Sequence, residues 1–269
     1  VWNGAVEPRL VLRHARPCAP APIALPGATR YLQAVFAELD RAPTARRPDE
    51  STVSDAPPRE VLDRRGRGPL AVLADAQAGG GGVLAICIDV PRRLPGLSQR
   101  TGGFALISYA ELAEDPATAR EFRHLVALDP PASPQEQALL RAGAGYTHLA
   151  WGEPELRFAL QMHEFEHDLR APLVELYRRL QARRSVTGEE LERLLGGEGH
   201  HRRPPRLAGR LVRILSELDL VRLNRALPAM AIASQAPTAL DRSPTYRFLS
   251  QRCEEGRRFL TSASLRPSA

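Results

Sequence analysis

The sequence predicts an α/β protein: a parallel three-layer α/β domain followed by a smaller α+β unit. Two patterns carry this. Between residues 69 and 170, four short apolar runs alternate with helical or turn segments: VLAICID (83–89), FALIS (104–108), HLVALD (124–129) and YTHLAW (146–151). Between 171 and 235, three amphipathic stretches are followed by two short runs that can pair as a hairpin. A chain of 269 residues is long enough for one large domain or two small ones.

Residues 1–17 contain the run Leu10, Val11, Leu12 among polar neighbours, a single strand that cannot be stable alone. It is expected to belong to a sheet whose other strands lie upstream, and the first residue, Val1, fits a chain cut from something longer. Residues 18–68 read as a flexible linker, Pro/Ala-rich and then charged. One short helix, from about Thr29 to Arg41, is expected to interrupt it with Leu32, Val35, Phe36 and Leu39 on one face.

PLAVLADAQA opens on Pro and runs into Gly79–Gly82, as a helix with a glycine stop does. VLAICID is a continuous apolar run, expected of a strand buried on both faces. Helical or turn segments are expected near Tyr109–Glu114 and Ser133–Ala142. Ligands of parallel sheets sit beyond the strand carboxyl ends, which here carry Asp89, Ser108, Asp129 and Gly152.

From residue 171 the period changes. APLVELYRRLQARR is an amphipathic helix. TGEELERLL opens on Thr187 with Glu190 three residues on, a capping-box pattern. PPRLAGRLVRILSELD is a third helix with Leu207, Leu211, Ile214, Leu215 and Leu218 apolar. LVRLN and MAIA pair across the turn ALPA. Three helices and then a hairpin is the order of a winged helix. A last helix, capped by Ser243 and running from Pro244 to about Leu260, is expected to pack back on this unit, residues 171–269.

Composition excludes several classes. No run approaches the roughly 20 apolar residues of a membrane span. Hydrophobic residues make up 43%, too many for a disordered chain. Cys18, Cys87 and Cys253 are odd in number and far apart, so no disulfide framework is expected and a reducing, cytoplasmic location fits. All 37 basic residues are arginine, and the formal charge is +6. Arg, Ala, Gly and Pro share GC-rich codons, so the excess of arginine reads first as codon bias.

His163-Glu164-Phe165-Glu166-His167 matches HExxH, in which two histidines one turn apart bind zinc and the Glu acts as base. The metzincin continuation is missing, since Arg170 and Leu173 stand where Gly and His belong; Glu189 or Glu190 remain as third ligands. The competing reading is a boundary helix whose buried stripe is Phe158, Met162, Phe165 and Leu169. Gly79–Gly82 lacks the Lys-Ser/Thr of a P-loop and reads as a turn. Cys87 lies in an apolar strand and reads as an inert core thiol.

The densest basic stretch is His200-His201-Arg202-Arg203-Pro204-Pro205-Arg206, continued by Arg210 and Arg213. Arg206, Arg210 and Arg213 are four and three apart and share a helical face. That face belongs to the third helix, which a helix-turn-helix fold lays in the groove of DNA. Arg202, Arg203, Arg206, Arg210 and Arg213 are therefore the candidate nucleic-acid-binding residues. Planar guanidinium groups suit phosphate oxygens. The alternative is an ordinary solvated face or a protein-docking face.

Read in order, these segments resemble the C-terminal half of the long RecJ-type single-stranded-DNA-specific exonucleases of high-GC bacteria. WNGAVEPRLVLRHARP is similar to the closing strand of their OB-fold. GPLAVLADA, VLAICIDVPRR, GGFALIS, HLVALDPP and THLAWGEPELRFA are similar to their extra α/β domain. DLRAPLVELYRRL, GEGHHRRPPRLAGRLVRILSELDLVRL and SPTYRFLSQRCEEGRRFL are similar to their helical end. The resemblance implies 5′→3′ hydrolysis of single-stranded DNA in recombination and repair. It implies Mn²⁺ or Mg²⁺ held by Asp and His motifs of an N-terminal catalytic domain. This chain contains no Asp-His-His, so no catalytic residue and no cofactor is assigned to it. The expected role is an accessory one: binding single-stranded DNA or a single-strand-binding protein. An HExxH zinc hydrolase and a pure protein-interaction module are the alternatives.

Overall fold

Glu60–Asp63 and Ala21–Pro22 form strands inside the segment read as linker, and each extends the sheet at one edge. The computed structural model describes residues 21–22, 31–41, 58–198 and 202–264. The strand expected within 1–17, Cys18, and His200 and His201 lie outside the described residues.

In chain order the elements begin with β1 (Ala21–Pro22), α1 (Tyr31–Asp40), β2 (Glu60–Asp63), α2 (Pro69–Ala78), β3 (Val83–Cys87), α3 (Val90–Ser98), β4 (Ala105–Ser108) and α4 (Tyr109–Glu114). A 3₁₀ turn then leads to β5 (His124–Ala127), α5 (Pro134–Leu139), β6 (Tyr146–Leu149) and α6 (Glu153–His167). The remainder comprises α7 (Arg170–Arg183), β7 (Ser185–Thr187), α8 (Gly188–Gly196), α9 (Pro205–Glu217), β8 (Val221–Asn224), β9 (Ala229–Ile232) and α10 (Pro244–Ser264).

The larger sheet is parallel, with strand order β1-β4-β3-β5-β6-β2. β3 is buried at every residue. Its alternate side chains feed two cores. Ala85 and Cys87 pack with Val72, Leu73 and Ala76 of α2 and Leu97 of α3. Leu84 and Ile86 pack with Leu112 of α4 and Leu140 beyond α5. Helices on both faces make the three layers, as continuous apolar strands require.

The linker boundary is corrected for a physical reason. β6 would be left with an open edge without β2, which pairs with it from Glu60↔Tyr146 to Asp63↔Leu149. Arg59 anchors the entry of β2. It is 3% exposed, and its guanidinium donates to the carbonyl oxygens of Ala119 (2.6 Å), Phe122 (2.9 Å) and Ala142 (3.0 Å). α1 is likewise no island in a linker, because Val35 is fully buried in the core of the second unit.

That second unit packs α7, α8, α9 and α10 around Leu173, Leu176, Leu180, Leu191, Leu195, Leu211, Ile214 and Leu215. A small antiparallel sheet, of order β7-β9-β8, closes it. Ser243 caps α10 by accepting the Tyr246 amide (3.0 Å). Thr187 stands at the start of α8 but its side chain makes no capping bond. The Glu190 carboxylate pairs with Arg183 (2.9 Å) instead of returning to Thr187, and the expected capping box does not form. α10 packs on α6 as well as on α9, and this joins the two units.

Candidate nucleic-acid interface

α9 owes its amphipathic form to Leu207, Ala208, Leu211, Val212, Ile214 and Leu215, all buried. The opposite face carries Arg206, Gly209, Arg210 and Arg213. The spacing read from the sequence is therefore real, and the arginines do share a side of the helix. That side meets α1. A Cβ at Gly209 would lie 2.7 Å from Glu38 Cβ and 3.0 Å from the Val35 carbonyl oxygen, so only glycine lets the two helices approach this closely.

The five candidate arginines have different fates. Arg213 donates from Nη2 to the carbonyl oxygens of Glu38 and Arg41, both at 2.6 Å, so it caps the C-terminal end of α1. Arg210 lies 3.8 Å from the Glu38 carboxylate and donates to the Glu166 carbonyl oxygen at 3.3 Å. Burial, and next the charge of Arg206, lowers the Arg210 pKa to about 10. Arg203 is buried and donates to the Leu195 carbonyl oxygen at 2.9 Å, closing the end of α8. Arg202 pairs with Glu192 (2.6 Å) and stands 3.6 Å over the ring of Tyr31. Arg206 is exposed and makes no hydrogen bond or ion pair among the described residues, its charge reaching Glu136 and Arg210. Of the five candidates four are engaged within the chain, because α1, α6 and the end of α8 supply the acceptors.

Four residues of this face were not singled out from the sequence. Tyr31 supplies the ring and donates its hydroxyl to the Arg203 carbonyl oxygen (3.0 Å). Its own pKa is raised to about 12, first of all by burial. Glu38 and Asp40 supply carboxylates. Arg225, in the β8–β9 turn, reaches Asp40 at 2.5 Å. The amphipathic stripe of α1 was legible; its contact with a helix some 170 residues on was not.

The HExxH histidines do not form a metal pair. His163 donates from Nε2 to the Cys253 carbonyl oxygen (3.0 Å), and His167 from Nδ1 to the His163 carbonyl oxygen (3.0 Å). The rings stack at 4.4 Å. α10 comes this close because Gly256 lies against the His163 ring. Glu164 pairs with Arg257 (3.4 Å) and Glu190 with Arg183 (2.9 Å), so both carboxylates are turned to other partners. Among the described residues, no group of three or more His, Cys, Asp or Glu is placed to hold a metal. In this arrangement the two histidines serve a helix–helix contact between α6 and α10.

The carboxyl ends of the parallel strands are also filled. β3 leads through α3 to β4 on one side, and β5 leads through α5 to β6 on the other, so the crevice lies between the ends of β3 and β5. Asp129 occupies it, fully buried. Its carboxylate accepts from the Ile88 amide (3.0 Å) and pairs with Arg93. Phe158 of α6 stacks on Arg93 at 4.2 Å, and Phe165 on Arg92 at 4.8 Å. Asp89, Ser108 and Gly152 start α3, α4 and α6. Cys87 is fully buried, and burial pushes its thiol pKa well up. Gly79–Gly82 is a turn whose carbonyl oxygens at Gly81 and Gly82 accept the Arg123 and His124 amides.

No protein-family model, no curated protein and no solved structure matches this chain. No helix among the described residues is long and apolar enough to cross a membrane.

Proposed function

We propose that this chain is the accessory, non-catalytic region of a RecJ-like 5′→3′ single-stranded-DNA exonuclease. In this reading it binds single-stranded DNA or a repair partner such as a single-strand-binding protein. The Mn²⁺ or Mg²⁺ chemistry belongs to a catalytic domain outside this chain. The observation that supports it best is the order α7-β7-α8-α9-β8-β9 with the sheet order β7-β9-β8. That is the order of a winged helix, with α9 as the helix such folds offer to DNA. It follows a parallel α/β unit, as in the resemblance drawn from the sequence.

The test is to incubate the purified chain with 5′-labelled single-stranded DNA and either metal. Binding that weakens with salt, without cleavage, is expected. Robust cleavage would sink the proposal. A pure protein-docking role is the second reading, favoured by the cover that α1 lays over α9. A pull-down with and without DNA separates the two: a partner retained after nuclease treatment, with no DNA affinity of the chain alone, favours docking.

A further inference from the structure

Most of the cations on one side of the second unit are satisfied by a single helix. Starting at the α1 N-terminus, Tyr31 places an aromatic ring 3.6 Å from the Arg202 guanidinium carbon. Further along, the Glu38 carboxylate lies 3.8 Å from Arg210. The last turn gives the Glu38 and Arg41 carbonyl oxygens to Arg213 at 2.6 Å each, and the Asp40 carboxylate to Arg225 at 2.5 Å. One ring and a series of negative oxygens are spread over a helix of ten residues, about 15 Å long.

A single strand of nucleic acid presents that same chemistry. Its bases stack on aromatic rings and guanidinium planes, and its phosphate oxygens meet arginine forks. The α1 polar contacts differ in exposure: the Arg210 and Glu38 side chains are only 11% and 13% exposed, whereas the Asp40 contact lies near water. The Arg225 side chain is 45% exposed and that of Asp40 is 68% exposed. Arg206, on the first turn of α9, is exposed and makes no hydrogen bond or ion pair among the described residues; its charge reaches Glu136 and Arg210. The other side of α1 holds the helix in place through the buried Val35 and the half-buried Leu32, Phe36 and Leu39.

We propose that α1 is a built-in mimic of single-stranded DNA. It occupies the cationic face formed by Arg202, Arg210, Arg213 and Arg225. A strand entering at Arg206 would bind by taking over those contacts in competition with the Glu38, Asp40 and carbonyl oxygens. The inference rests on the reading of this unit as a DNA-contacting accessory module.

The test uses the full chain and a fluorescein-labelled 20-nucleotide oligothymidine, with anisotropy read across a salt series. Glu38→Gln with Asp40→Asn removes the carboxylates that face Arg210 and Arg225. Glu60→Gln with Glu121→Gln makes the same charge change at exposed positions of the α/β unit. The α1 double variant is expected to bind at least about fivefold tighter than that control. Its log–log salt slope should be steeper by about 1.4, for two added phosphate contacts on a single strand. Equal affinities for the two double variants, with binding lost in Arg206→Gln, would overturn the mimic and leave the DNA-binding role standing. No binding by any of the folded proteins at the lowest salt would overturn both. Melting by circular dichroism checks the fold. If the α1 double variant does not fold, Asp40→Asn against Glu60→Gln repeats the comparison, because the Asp40 side chain is exposed.

Discussion

The crevice at the carboxyl ends of β3 and β5 is where parallel sheets hold ligands, the outer face of α9 is where the proposed winged helix would meet DNA, and this chain fills both from within. It does so in different ways. In the crevice the acceptor is Asp129, fully buried, with Arg93 paired to it and Phe158 stacked on top. On the α9 side the acceptors are carbonyl oxygens and carboxylates of α1: Glu38 against Arg210 is largely enclosed, Asp40 against Arg225 is near water, and Arg206 is left open. A buried pair holds stability, because removing one partner strands the other charge away from solvent. A half-exposed pair holds little stability, because water replaces either partner, and its arginines stay open to competition. The crevice is therefore part of the core, and the α9 face is an occupied surface.

The largest effect that would break this contrast is in the crevice. Asp129→Ala leaves Arg93 and the Ile88 amide without their acceptor and is expected to cost about 3–5 kcal/mol in urea unfolding. A loss under about 1 kcal/mol would show the crevice to be open rather than sealed. Asp40→Asn, the matching change on the other face, is expected to stay within about 0.5 kcal/mol.

A comparable effect belongs to pH. His124 Nδ1 and His148 Nε2 lie 3.0 Å apart between β5 and β6, with His148 only 3% exposed. Burial, and next the charge of Arg64, lowers the His148 pKa from its ordinary 6.5 to about 4. The folded state therefore prefers the neutral ring. That preference adds stability in full above pH 6.5 and is lost as pH falls from 6.5 towards 4. The loss is about 3 kcal/mol at most for this group. Unfolding midpoints measured across that window in wild type and His148→Gln should show a flatter dependence in the variant. Parallel curves would remove His148 as the cause.

A smaller destabilisation than that of Asp129→Ala sharpens the α9 side. Gly209→Ala puts a Cβ 2.7 Å from Glu38 Cβ and should push α1 off its seat at a cost of about 1–3 kcal/mol. A thermal melt unchanged from wild type would mean that α1 does not sit on Gly209.

Much of this architecture was legible in the residues. β3 and β5 announce themselves as unbroken apolar runs, and Ser243 marks the start of α10 through its capping hydroxyl. The face shared by Arg206, Arg210 and Arg213 follows from helical spacing alone. Other parts carry no local signal. β2 has two charged residues in four and is a strand only because β6 needs a partner. β7 has three residues and stands where a cap was expected. α3 contains Pro95 and Gly96, which read as breakers, yet Asp89 and the core contact of Leu97 hold it helical. Long-range contacts explain the remaining differences. Periodicity shows that arginines line one side of α9, but not that α1 lies there. The spacing of His163 and His167 is that of a zinc pair, but the carbonyl of Cys253 that takes the His163 proton comes from ninety residues further on.

Amide hydrogen exchange of the whole chain, with and without saturating oligothymidine at low salt, tests the account most directly. The account predicts that amides of α1 lose protection when DNA is bound, that the first turns of α9 keep or gain it, and that β3, β4 and β5 do not change. Unchanged protection in both α1 and α9, or a change confined to the strand ends around Asp129, would contradict it.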